Sequence, residues 1–119
     1  MKNLKFLIPF LSAFLLIGHV SYAQNAKMQE RAKEQLEALN QKIVQGNPDV
    51  ALTPEQREKI LALYLDKQVK MKEIRESDLG DEEKEAKRKA LNKEVAQVVN
   101  QEILTKEQRQ AKRKANSDE

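Results

Sequence analysis

From residue 26 onward the apolar positions recur three and four apart, the spacing that lines one stripe of a helix. Met28, Ala32, Leu36, Leu39 and Ile43 define a first helix over 26–45. Gly46 fits the position just past its end, and Asn47-Pro48-Asp49 reads as a turn. A second helix starts at Thr53, a good N-cap, with Pro54 in the first helical position and Gln56 where a capping box needs it. It runs to about residue 77. Ile60, Leu63, Tyr64, Met71 and Ile74 form one stripe on it, and Leu61, Leu65 and Val69 form a second shoulder. That width exceeds one packing face. Leu79-Gly80 ends the pattern, and Asp81, Glu82 and Glu83 give the acidic first turn of a third helix reaching Ile103. Leu91, Val95, Val98, Val99 and Ile103 share its inner face, while Glu83–Lys87 and Glu85–Lys89 stand at i,i+4 outside. A short fourth helix follows Thr105 and ends in Lys112-Arg113-Lys114. The fold class is all-α, a thin hairpin of three to four helices in one domain over residues 24–119.

The first 23 residues are of another kind. Lys2 and Lys5 precede an uncharged apolar run from Phe6 to Val20, and Ser21-Tyr22-Ala23 places small residues at −3 and −1 of a cleavage point. This is the layout of a secretory signal peptide, and it implies export. Retention as a membrane anchor is the alternative, and the sequence leaves the two open. Without the leader, 20 Lys/Arg face 19 Asp/Glu, a net charge of +1.

What remains excludes much chemistry. Residues 24–119 contain no Cys, no His and no Trp, and Tyr64 is their one aromatic residue. Thiol and Ser-His nucleophiles are ruled out, as are disulfides and soft or imidazole metal sites. Two glycines cannot build a phosphate loop. The expectation is no catalytic residue, no metal, no cofactor and no enzyme. Near-neutral charge with export argues against nucleic acid as a partner. Asp78, Asp81, Glu82 and Glu83 lack the alternation of a calcium loop and read as a helix N-terminal charge cluster.

Leu52-Thr53-Pro54-Glu55-Gln56 recurs 52 residues later as Leu104-Thr105-Lys106-Glu107-Gln108. Each copy has Leu before a Thr cap, and Gln at the third helical position. Nothing before Thr105 clearly stops the third helix, so a mid-helix Thr105 stays open at this point. Two such pentapeptides in a small exported helical chain resemble the LTxxQ-motif family of periplasmic proteins, the Spy/CpxP group. The resemblance implies an antiparallel, cradle-shaped homodimer. It also implies ATP-independent chaperone activity on unfolded envelope proteins, or restraint of a membrane sensor kinase. Leu52, Thr53, Gln56, Leu104, Thr105 and Gln108 match the motif, and in that family such residues are architectural. The spacing between motifs is shorter here, and the histidines of zinc-binding relatives are missing.

Two function classes follow. One is a chaperone, with Ile60, Leu61, Leu63, Tyr64, Leu65, Val69, Met71 and Ile74 as candidate client or dimer surface. The other is a regulatory adaptor docking on a membrane sensor or protease. In a thin hairpin each helix meets one neighbour, so the over-wide stripe of the second helix points to a dimer.

Overall fold

The computed structural model of the chain describes residues 22–117, so the expected leader lies, up to residue 21, outside the described residues. Four helices follow: α1 (Tyr22–Gly46), α2 (Pro54–Glu76), α3 (Asp81–Val98) and α4 (Lys106–Ser117). A 3₁₀ turn (Pro48–Val50) joins α1 to α2, and a π-helical turn (Val99–Ile103) extends α3. The described residues form no strand, and the class is all-α as the periodicity predicts. No helix among them is long and apolar enough to cross a membrane.

Helix ends follow local chemistry. Asn47 caps the 3₁₀ turn, its Oδ1 accepting from the Asp49 amide at 3.0 Å. Ser77 closes α2: its amide and hydroxyl both donate to the Ile74 carbonyl, at 3.2 and 2.6 Å. Lys84 reaches back from α3 to the Arg75 carbonyl at 2.9 Å, placing a cation on the negative end of α2. On the outer face of α3, Glu85 pairs with Arg88 at i,i+3 and 2.8 Å in place of the expected Lys89. That guanidinium holds the Glu85 carboxyl below its usual range, with a smaller contribution from Lys89.

Gly46 corrects the sequence reading. It is the last residue of α1, and no described glycine has positive φ, so it is not a left-handed cap. A Cβ on it would fall inside the Ala111 carbonyl and 2.8 Å from the Ala111 Cα. Glycine is required there because α4 crosses the end of α1 backbone to backbone.

The core comprises Leu36 and Ile43 of α1, Leu52, Ile60 and Leu63, then Leu91, Val95, Val99, Leu104 and Ala111. α1 packs along α2 and α4, and α2 also packs along α3. α2 is therefore a central helix with a neighbour on each side, not one limb of a two-layer hairpin. This overturns the reason given for the wide stripe. Ile60 and Leu63 are sealed at 0% and 1% exposure, and Leu61, Tyr64, Met71 and Ile74 pack against the same core. Most of the breadth of α2 therefore serves intramolecular contacts, with Leu65 and Val69 left outside the core cluster.

Candidate functional site

The two LTxxQ pentapeptides, 52 residues apart, meet. Each first builds its own cap. The Gln56 amide donates to Thr53 Oγ1 at 3.1 Å, and the Thr53 amide donates back to Gln56 Oε1 at 3.0 Å. At the second copy the same bonds are 3.2 and 2.9 Å. These are reciprocal capping boxes, and they satisfy helix-start amides that have no intrahelical partner. Thr105 therefore starts a helix, which closes the alternative left by the sequence. The π turn explains how: the Leu104 amide bonds the Val99 carbonyl at 2.9 Å, and Leu104 turns extended at φ −76°, ψ 144°. The third helix stops on a register one residue wider than an α-turn.

The two boxes then join. Gln56 Nε2 donates to Gln108 Oε1 and Gln108 Nε2 to Gln56 Oε1, both at 2.8 Å. Each Nε2 also donates to carbonyls leading into the other motif. Gln56 reaches Ile103 at 2.9 Å, and Gln108 reaches Val50 at 3.1 Å and Ala51 at 3.4 Å. Both amides thus use their donors and acceptors together, which is what a buried Gln requires. Gln108 is 3% exposed. Leu52 and Leu104, at 6% and 4%, enter the core beside the junction. The motif is a structural clasp between the starts of α2 and α4.

Several contributors were not legible as motif residues. Asn40 Oδ1 accepts the Leu52 amide at 2.9 Å, tying the first motif to α1. Arg109 donates to the carbonyls of Asn100 and Leu104 at 2.9 and 3.0 Å, and Lys112 donates to Asn100 Oδ1 at 2.9 Å. Arg109 satisfies carbonyls freed at the end of α3, while Lys112 holds the Asn100 side chain. Partial burial lowers the Lys112 pKa. The sequence left the end of the third helix open, so it offered no carbonyls for Arg109 to be matched with.

Thr53→Ala removes one side-chain acceptor and is expected to cost about 1 kcal/mol. Urea unfolding checks it. An unchanged midpoint at constant m would show that the cap carries no stability.

On α2 the structure divides the candidate surface. Ile60 and Leu63 belong to the core and are removed from any binding role, because neither can be reached without unfolding. Tyr64 is half-buried, with the Lys67 ammonium 5.8 Å from its ring centroid. Burial pushes the Tyr64 phenol up and the Lys67 ammonium down from their ordinary pKa values. Leu65 and Val69 are half-buried and stand outside the core cluster. Between them lies Asp66, 3% exposed, with Lys70 Nζ 2.9 Å from its Oδ2. A pair of this kind contributes little net stability, since desolvation offsets the attraction.

No protein-family model, curated protein or solved structure matches the chain. The site's meaning therefore rests on its geometry and on the motif itself. Among the described residues no group of three His, Cys, Asp or Glu is placed to hold a metal ion.

Proposed function

We propose that the chain is an exported, ATP-independent binding protein that holds apolar segments of unfolded envelope proteins on α2. The observation that carries this reading is the division of α2. Leu65 and Val69, one helical turn apart, are apolar, half-buried and outside the core, whereas the rest of the wide stripe is used internally. The clasp supports the reading indirectly. Its polar atoms are committed to one another and to nearby carbonyls, so it serves as a rigid hinge-point and leaves contact with a client to the helix surface. A pair of apolar residues contributes a few kcal/mol at most, which suits weak and exchangeable holding.

The test is suppression of aggregation of unrelated unfolding proteins by the purified chain at near-stoichiometric amounts. Leu65→Glu is expected to keep a cooperative melt and lose most of the suppression. Ile60→Glu, which buries a charge in the sealed core, is expected to unfold the protein instead. Full suppression by Leu65→Glu, or no suppression by the parent chain, would end the holding role. A single strong partner with no general activity would indicate the adaptor class.

A further inference from the structure

We propose that the outer face of α4 docks on an anionic lipid surface. The inner face is fixed by Gln108, Ala111 and Ala115, all buried. The opposite side carries Lys106, Arg113 and Lys114, all exposed, and Glu107 is the one acid among the twelve residues of the helix. Lys106 and Arg113, seven residues apart, lie on one line of the helix, and Lys114 stands at the edge of that face, in line with Glu107. The roles of the five cations differ. Arg109 and Lys112 are engaged with Asn100 and Leu104. Lys106, Arg113 and Lys114 make no ion pair among the described residues. Asp118 and Glu119 follow in sequence, so five cations less three anions leave +2 over residues 106–119. The attraction is a property of the helix face and not of bulk charge.

The shape of the face selects the kind of partner. It presents no apolar side chain, since Ala111 and Ala115 of the helix are both buried. A flexible acidic peptide would have to be ordered there without any apolar anchor, which weak surface charge does not offset. A bilayer rich in anionic headgroups needs no shape match and attracts each nearby cation through its surface potential. The chain also carries the apolar run Phe6–Val20, whose layout is that of an export leader or an anchor. This inference is independent of the holding activity on α2, and either can fail alone.

The experiment uses the full chain with phosphatidylcholine vesicles, and with vesicles about one-third phosphatidylglycerol. The N-terminal apolar run contributes to both and Lys2 and Lys5 to the anionic vesicles alone, so the part of the difference lost in the α4 variant belongs to this face. Stronger partitioning to the anionic vesicles is expected, together with its loss at about 0.5 M salt. The variant Lys106→Gln, Arg113→Gln, Lys114→Gln should melt as the parent does and lose about a hundredfold in that difference, roughly fivefold per charge. Equal partitioning to both vesicles, or an unaffected triple variant, overturns the proposal. Tighter binding to soluble polyglutamate than to vesicles also overturns it, in favour of an acidic protein partner.

Discussion

Gly46→Ala is expected to destabilise the protein by about 3 kcal/mol or more, although alanine is the better helix former. The added methyl has no space: it would fall inside the Ala111 carbonyl. The obstacle is backbone, so no rotamer change relieves it, and α4 must move as a body. That movement pulls Gln108 away from Gln56 and the Val50 carbonyl. For a domain of this size the melting temperature should fall by about 15 °C. Gly80→Ala is the control, because nothing lies within 4 Å of a Cβ there. Its effect should stay within about 1 kcal/mol. Equal effects from the two substitutions would contradict the close crossing of α1 and α4.

The second large effect belongs to Gln108. Gln108→Ala removes the acceptor of the Thr105 amide, the donor to Val50 and Ala51, and both bonds to Gln56. Several of these groups are part-buried, and leaving them without partners should cost about 3 kcal/mol. Gln56→Ala should cost about 2 kcal/mol, since Gln56 is less enclosed. The informative quantity is the coupling. In the double variant the Gln–Gln bonds are lost once instead of twice, so the total should fall short of the sum by about 1–2 kcal/mol. Urea titrations of the four proteins measure it. Strict additivity would mean that the two motifs act as separate caps.

The local half of this arrangement was written in the chain and the long-range half was not. Thr53 with Gln56, and Thr105 with Gln108, interact over three residues, so spacing offers both boxes, and only the stop at Leu104 makes the second one a helix start. That one Gln should meet the other depends on how α1, α2 and α4 pack, and no periodicity contains that information. Gly46 shows the same limit. Glycine after a helical stripe fits a cap from sequence, whereas its actual reason lies 65 residues away at Ala111. The stripe on α2 was read correctly as too wide for one contact. The sequence does not tell its cause, because two flanking helices and one partner chain leave the same pattern. Leu65 and Val69 could be separated from Leu61 and Tyr64 only once the neighbours of α2 were known.

The clasp is made entirely of neutral groups. Neither amide nor hydroxyl side chains titrate in the range where proteins fold, and bonds between them are little screened by ions. Exposed pairs such as Glu55–Lys59 and Glu85–Arg88 should dissolve in acid or brine. The Thr-Gln-Gln-Thr junction should hold its register through both. A chain without cysteine thereby closes a loop of 52 residues with a cross-link indifferent to acidity, salinity and redox state. Acid, salt and reductant each break one common kind of cross-link, and this fastening is insulated from all three.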